Sequence, residues 1–260
     1  MADFCCQAEG RELDLRRFRN DELILTKDEE PQLIFSPLGN SPTQPKLALV
    51  GITPGGQWET FAKHLPRYGV VEAARKAAFQ GARGTIIKLL EAHGLASALG
   101  IDTSSEVAVF EGEHVLTTSL AKCCLQSSGN YKYSAPDLVA TPRAQHCIER
   151  RFMPEIEAHL STLTHIVLFG QPSWDAICSP DGNGISVRER IEAAGIIILK
   201  LPHFAQNYQQ REIYCMSPSQ YADYFRRKPD NLKYGKAAAA MTTTTMAEVR
   251  RLKSEKKASG

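Results

Sequence analysis

Four short segments combine residue types that could perform chemistry with glycine, proline or aromatic neighbours. The first is residues 51–55, Gly-Ile-Thr-Pro-Gly, where Pro54 stiffens a turn that presents Thr53 and the glycines let the backbone pass close to a ligand. A turn of this composition is often only a connection. The lack of a Gly-Lys-Ser/Thr ending excludes a Walker phosphate loop.

The second segment places an aromatic ring before a glycine-rich helix start. Phe79 could offer a flat face to a nucleobase, and backbone N–H groups between Gly81 and Gly84 could receive an anion. The structural alternative makes Phe79 an ordinary core residue. The sequence alone leaves both interpretations open.

The third and fourth segments each follow an apolar run. Ser119 could make one hydrogen bond in a pocket, although serines in such places commonly satisfy only the backbone. His203 stands where an active-site loop would leave a sheet, although a lone histidine is ordinarily structural.

The elements that must position these segments follow from hydrophobic patterning. Four apolar runs predict strands that are buried on both faces, at residues 47–50, 115–118, 166–169 and 196–199. Helical patterns lie between them, including residues 85–92 and 141–160. This alternation predicts an α/β fold, a three-layer αβα arrangement with a central, mainly parallel four-stranded sheet. Ligands bind at the carboxyl ends of such strands, where the four segments lie.

Composition leaves the partner open but limits the setting. The 260 residues are 43% hydrophobic and carry a net charge of +2, so contact with a nucleic acid would need a local basic patch. No apolar run approaches the roughly 18 residues of a membrane helix. Because seven cysteines suit reduced thiols better than a disulfide framework, we expect a cytoplasmic protein that does not bind membranes.

The chain is expected to contain one principal domain with two extensions. Residues 1–45 predict an N-terminal arm, residues 46–235 the α/β domain, and residues 236–260 a flexible basic tail. Two alternatives for the tail are a short helix near residues 246–256 and a weak phosphate-contacting arm.

Taken together, the segments resemble the motifs of the uracil-DNA glycosylase superfamily, closest to its bacterial iron-sulfur and related branches. The similarity spans residues 47–227. Residues 51–55 resemble Gly-Glu-Ala-Pro-Gly or Gly-Ile-Asn-Pro-Gly, and residues 78–90 resemble Pro-Phe-x-Gly-x-x-Gly with its leucine-rich helix. Residues 118–123 resemble Thr-Asn followed by Val-Lys-Cys, residues 166–170 resemble a strand that ends in Leu-Gly, and residues 203–205 resemble His-Pro-Ser/Ala. No single match is specific to the family, but five matches in register are.

The resemblance implies an enzyme that flips a nucleotide out of DNA, cleaves the N-glycosidic bond and leaves an abasic site. His203 would donate to the departing base and Thr53 would position water. The base would be bound by Phe79, Ser119, Ile52 and Gly51. DNA would be contacted by Gly81, Arg83, Gly84, Phe204, Gln206, Asn207, Tyr208 and Arg211.

Two departures from the family pattern bear on the substrate. Thr53 stands where an Asp or Asn is usual, and Ser119 replaces the asparagine that reads uracil. Because serine is shorter, we expect a bulkier modified pyrimidine, such as hydroxymethylated or glucosylated cytosine of phage DNA, excised in antiviral defence. The alternatives are a uracil-DNA glycosylase of base-excision repair, a catalytically silent nucleic-acid-binding module and, more loosely, a small-molecule hydrolase.

We expect no bound metal. We expect a monomer that contacts DNA. The iron-sulfur branch suggests four ligands, which here would be Cys123, Cys147, Cys5 and Cys6. Adjacent cysteines rarely point at one cluster, so the resemblance is incomplete. The sequence also lacks paired Cys-x-x-Cys or His-x-x-x-His patterns for zinc.

Overall fold

The computed structural model describes residues 32–36, 38–126, 142–180, 183–204 and 212–259. The strands are β1 (Gln32–Phe35), β2 (Leu47–Gly51), β3 (Val115–Ser119), β4 (Cys123–Gln126), β5 (His165–Phe169) and β6 (Ile197–Leu201). The helices are α1 (Gln57–Ala77), α2 (Arg83–Ala92), α3 (Leu95–Leu99), α4 (Glu106–Phe110), α5 (Pro142–Cys147), α6 (Met153–Glu157), α7 (Gln171–Cys178), α8 (Val187–Ala193), α9 (Pro218–Arg227) and α10 (Leu232–Ser259). A π-helical turn (Ile148–Phe152) joins α5 to α6, and a 3₁₀ turn (Pro229–Asn231) precedes α10.

The centre of the fold is a four-stranded sheet in the order β3-β2-β5-β6, with every neighbouring pair parallel. The four predicted apolar runs are these four strands. The α/β prediction is therefore confirmed as a four-stranded, all-parallel sheet that helices flank. All four strands end at one edge, which brings the segments singled out in the sequence to that edge.

Alternation along the strands divides the core between the two faces of the sheet. On β2, Leu47 and Leu49 pack into one apolar cluster, whereas Ala48 and Val50 pack into the other. Successive side chains of a strand point to opposite faces, so a sheet covered on both sides needs apolar residues at every position. The continuous runs in the sequence meet that requirement.

A two-stranded antiparallel sheet, β1 with β4, lies beside the main sheet. Ile34 and Leu38 are buried in a third cluster together with α1. The Ser36 N–H also donates to the Lys122 carbonyl at 2.9 Å. The described part of the expected N-terminal arm is thus packed into the fold, because its apolar residues have a helix to cover them.

The flexible basic tail expected from residue 236 is wrong for residues 236–259, which continue α10 and pack against β6. Ala238, Thr242, Thr245 and Val249 form a buried stripe along this helix. Small side chains let the helix approach closely, and the threonine hydroxyls bond to backbone carbonyls, including that of Lys200 from Thr245 at 2.9 Å. The low hydropathy of residues 236–259 therefore gave no sign of the helix face that packs against β6.

Glu248 anchors α10 to the start of β5. Its carboxylate lies 3.0 Å from the Nε2 of His165, and it also accepts from Arg251. Hydrogen bonding from Arg251 and His165 lowers the pKa of Glu248 despite its burial.

None of the helices in the described parts of the chain has the length and hydropathy that a membrane crossing requires.

Candidate functional site at the carboxyl edge of the sheet

The ends of β2 and β3 bring the first and third sequence segments side by side. Gly51 pairs in register with Ser119. The pairing continues beyond the strands, where the N–H groups of Leu120 and Ala121 donate to the carbonyls of Gly51 and Ile52 at 2.9 and 3.0 Å. The loop that carries Thr53 and the loop that carries Ser119 are therefore held rigidly against each other.

Phe79 lies over this junction in a strained backbone conformation. Its φ is +55°, in the left-handed region that non-glycine residues seldom adopt, and its N–H donates to the Oε1 of Gln57 at 2.9 Å. A side chain at Gly51 would lie 3.4 Å from the Phe79 ring, so the glycine lets the ring approach the backbone. Strain of this kind tends to occur at functional sites.

The segments enclose a small cavity at this edge of the sheet. Of the residues predicted for the site, Gly51, Thr53, Phe79, Ser119 and Phe204 line it. Pro54, Ala78 and Thr118 also line it and belong to the segments described above, without a predicted role of their own in binding. Leu38 and Gln57 line it as well and lie outside those segments. The cavity volume is about 20 Å³, enough for one water molecule. A pyrimidine ring does not fit in this volume.

Phe204 lines the cavity, and His203 stacks on it. The His203 and Phe204 rings are 4.5 Å apart between centroids, and Phe204 also meets Phe79 and Phe169 edge to face at 5.5 and 5.2 Å. Burial lowers the pKa of His203 from its ordinary value, so its imidazole is neutral near pH 7. His203 therefore does not line the cavity itself, and the ring of Phe204 lies between the imidazole and the cavity.

The hydroxyl of Ser119 is oriented by the backbone. It donates to the Ala121 carbonyl at 2.9 Å and is buried. With its hydrogen engaged, this oxygen can only accept a hydrogen bond from a ligand in the cavity. Such an acceptor matches a base N–H or amino group.

Two predicted contacts have other roles in the structure. The Ile52 side chain packs with Leu120 in the core cluster on one face of the sheet and does not line the cavity. Alternation after β2 directs it away from Phe79, and its predicted role in base binding stays a prediction.

Arg83, predicted to contact phosphate, instead closes the end of α1. Its guanidinium donates to the carbonyls of Arg75, Lys76 and Ala78 at 2.7 to 3.2 Å and pairs with Glu111 at 3.2 Å. These partners satisfy carbonyls that a helix end leaves without intrahelical partners. In this conformation the guanidinium is engaged by these partners, and its predicted contact with phosphate stays a prediction.

The glycines beside Arg83 differ in what surrounds them. Gly81 has a φ of +78° and open space next to it, so its predicted contact with DNA stays a prediction. A side chain at Gly84 would lie 3.5 Å from a carboxylate oxygen of Glu106. An anion at Gly84 would meet that negative charge, which disfavours a phosphate there.

Thr118, Lys122 and Glu155 form a polar triad next to the cavity, which the sequence did not predict. Glu155 accepts from the Nζ of Lys122 at 2.6 Å and from the Oγ1 of Thr118 at 2.5 Å, and Lys122 also contacts Thr118. Thr118 lines the cavity, so it connects the carboxylate to the site. Lys122 lay within a recognised motif, whereas nothing marks Glu155, which comes 33 residues later.

Two of the four cysteines suggested for a cluster lie close together. Cys123 and Cys147 are buried, and the Lys122 N–H donates to the Cys147 sulfur at 3.3 Å. Within the described ranges no group of three or more potential metal ligands is found. The other suggested ligands, Cys5 and Cys6, lie outside the described residues, as do the predicted DNA contacts Gln206, Asn207, Tyr208 and Arg211.

Comparison with known proteins finds no match to a protein-family model and none among curated proteins. A parallel α/β sheet supports many activities, so the fold does not decide between them. The chemistry of the cavity is therefore the basis for a function.

Proposed function

We propose that the chain is a DNA glycosylase that flips a modified pyrimidine out of DNA and hydrolyses its N-glycosidic bond. The observation that carries the proposal is the convergence of Gly51, Thr53, Phe79 and Ser119 on one cavity, with His203 one ring away. Four segments scattered over about 150 residues meet where a parallel sheet binds its ligands.

The flipped base stacks on Phe79 in the space that Phe204 occupies in the closed structure. Entry therefore requires Phe204 to leave its contacts with Phe79 and Phe169. The same movement carries the adjacent His203 toward the base. Binding of the nucleotide and assembly of the catalytic site are thus one event.

His203 acts as a neutral hydrogen-bond donor to the base as its bond to the sugar breaks. The departing base gathers negative charge, and a donor aimed at its oxygen stabilises the transition state. A neutral imidazole suits this role because its proton is not lost to solvent in the pH range of the cell. Burial of His203, which lowers its pKa, supports that state.

Water attack on the sugar depends on the first loop. No carboxylate lines the cavity among the described residues, so the Thr53 hydroxyl and nearby backbone carbonyls position the water. Most of the rate enhancement then comes from stabilising the leaving base.

The substrate is a pyrimidine that carries an amino group and a substituent. The Ser119 oxygen is left as an acceptor, which suits the exocyclic amine of cytosine. Because serine is shorter than asparagine, the site leaves room for a substituent on the ring. Hydroxymethylated or glucosylated cytosine of phage DNA meets both conditions, and an enzyme that excises it would act in antiviral defence.

A second candidate is a nucleic-acid-binding module without catalysis on the same fold. It is favoured by the closed cavity, which has room for one water molecule while Phe204 covers Phe79. Such a module would bind DNA and release no base.

The test is mass spectrometry of bases released from unmodified, uracil-containing, hydroxymethylated and glucosylated DNA. We expect release of a modified cytosine, reduced about 10²- to 10³-fold in His203→Ala and strongly in Phe79→Leu. His114→Ala is the matched control because His114 is exposed and does not line the cavity. Release of uracil alone would identify a repair enzyme instead, and no release from any DNA would favour the binding module.

A further inference from the structure

A second and larger pocket lies beside the cavity. It is formed by the connection from β1 to β2, the second half of α1, and the helical segment around Arg151 and Glu155, and its volume is about 440 Å³. We call it the lateral pocket and define it by Leu38, Val70, Val71, Lys122, Arg151 and Glu155. Pockets that bind small molecules typically measure roughly 300–1,000 Å³, so its size suits a ligand the size of a nucleotide.

One wall of the lateral pocket is apolar and open to solvent. Val71 is 80% exposed, more than any other large hydrophobic residue that the structure describes, and Val70 and Phe35 line the same pocket. No residue in the described ranges covers this valine. An apolar surface in a concave site favours the face of a ring.

The charges of the lateral pocket favour an anion. Lys122 and Glu155 neutralise each other across 2.6 Å, which leaves Arg151 as the charge without a counter-ion. The Arg151 side chain makes no hydrogen bond or ion pair to any residue that the structure describes. A guanidinium is well suited to bind phosphate oxygens in pairs.

The lateral pocket and the cavity are neighbours. Leu38 lines both, and Thr118 lines the cavity while it bonds to Lys122 and Glu155 of the pocket. Ligands bound in the two sites would therefore lie one side chain apart, close enough to be consecutive nucleotides of one strand.

We infer that the lateral pocket binds the nucleotide next to the flipped one, with its base on Val70 and Val71 and its phosphate on Arg151. This inference rests on the proposed function for the source of the ligand. A free nucleotide offers the same chemistry, a ring joined to a phosphate.

The experiment measures binding of a labelled single-stranded hexanucleotide by fluorescence anisotropy and of deoxycytidine monophosphate by calorimetry. Arg151→Gln is compared with Arg150→Gln, which removes the same charge from the exposed neighbouring position. Val71→Glu is compared with Val107→Glu, a valine on α4 that is 60% exposed. All four variants change side chains that are not in the buried core, so each is expected to fold.

We expect Arg151→Gln and Val71→Glu to weaken hexanucleotide binding about tenfold relative to their controls, the effect of one lost charge-assisted contact. Equal affinities of each variant and its control for both ligands would overturn the inference. A loss confined to the mononucleotide would overturn the assignment to the DNA strand. If no DNA releases a base while Arg151→Gln still weakens hexanucleotide binding, the proposed function fails and the nucleotide site stands.

Discussion

The ring of Phe204 stands nearly perpendicular to the ring of Phe79, with 5.5 Å between their centroids and an interplanar angle of 84°. Phe204 thus lies directly against the ring on which a base would stack. It has two further ring neighbours, Phe169 and His203. Aromatic pairs of this kind contribute about 0.5–1.5 kcal/mol each beyond their burial, so the closed arrangement is favoured by a few kcal/mol.

Replacing Phe204 is expected to open the cavity. In Phe204→Ala the ring contacts that oppose entry of a base are gone, so free cytosine should bind about tenfold more tightly than to the wild type. Calorimetry measures this affinity. Phe169→Leu is the comparison, because Phe169 contacts Phe204 but does not line the cavity. Equal affinity of Phe204→Ala and the wild type would show that Phe204 does not limit access.

Gly170 is expected to be essential for the position of His203. A Cβ at Gly170 would lie 3.1 Å from the Cβ of His203, at a φ of +85°. Gly170→Ala should therefore displace the imidazole and reduce base release by about 10²-fold or more, the effect of losing a transition-state donor. Steady-state kinetics measures the change.

Gly195→Ala separates that effect from backbone strain. Gly195 has a φ of +83°, and a Cβ there would meet nothing within 4 Å. Both variants should lose stability, by about 1–2 kcal/mol for a side chain in the left-handed region. Base release should stay within about twofold of the wild type in Gly195→Ala. Similar losses of activity in both variants would refute the role of Gly170 in positioning His203.

Arg83 is expected to contribute to stability rather than to DNA binding. The side chains of Arg83 and Glu111 are 9% and 13% exposed, and Arg83→Gln leaves the Glu111 carboxylate only its longer pair with Arg75 at 3.7 Å and removes the donors to three backbone carbonyls at the end of α1. The free energy of unfolding should fall by about 3–5 kcal/mol, as when one partner of a buried ion pair is removed. Urea unfolding measures it.

The matched control for Arg83 is Arg226→Gln, because the Arg226 pair with Asp223 is exposed. It should leave the free energy of unfolding nearly unchanged. DNA affinity per folded molecule and its dependence on salt should be those of the wild type in Arg83→Gln. A stable Arg83→Gln variant with weakened DNA binding would restore the phosphate role.

Stability is expected to fall below pH 6.5 because two buried histidines resist protonation. Burial lowers the pKa of His93 and of His203 from the ordinary value of 6.5. Between the lowered pKa and 6.5 the unfolded chain binds more protons than the folded chain, so the free energy of unfolding decreases as the pH falls. Each histidine contributes a slope of at most about 1.4 kcal/mol per pH unit in that window.

His93→Gln tests this dependence, since glutamine can still donate to the Tyr214 carbonyl that His93 contacts at 3.2 Å. Urea unfolding between pH 7.5 and 5 should show a shallower slope than in the wild type. The exposed His114→Gln should keep the full slope. A wild-type slope in His93→Gln would mean that His93 is not the group that titrates.

The strands were predictable because a parallel sheet covered on both faces needs uninterrupted apolar runs, and each such run stops at the edge that holds the site. The helix α10 was not predictable by the same logic. Its buried stripe consists of alanine and threonine, whose close packing and carbonyl contacts hydropathy does not register. Burial there depends on the shape of the partner surface, which no local pattern encodes.

The site was predictable to the extent that its residues follow strand ends. Thr53, Phe79 and Ser119 line the cavity as their positions after strands or before a helix suggested. The structural contacts of Arg83 were not predictable, because its four backbone and side-chain partners come from the turn geometry at the end of α1 and from Glu111. Glu155 was missed because its contact with Thr118 spans 37 residues.

The bond from Thr245 to the carbonyl of Lys200 has a consequence for how the chain behaves at high concentration. β6 is an outer strand of the sheet, and α10 lies against it. At the opposite side Asn40 pairs with Thr117 of β3, the other outer strand. Unpaired outer strands recruit strands from other molecules, which leads to aggregation. Truncation before α10 would therefore expose β6 as an edge strand, and the truncated protein is expected to aggregate.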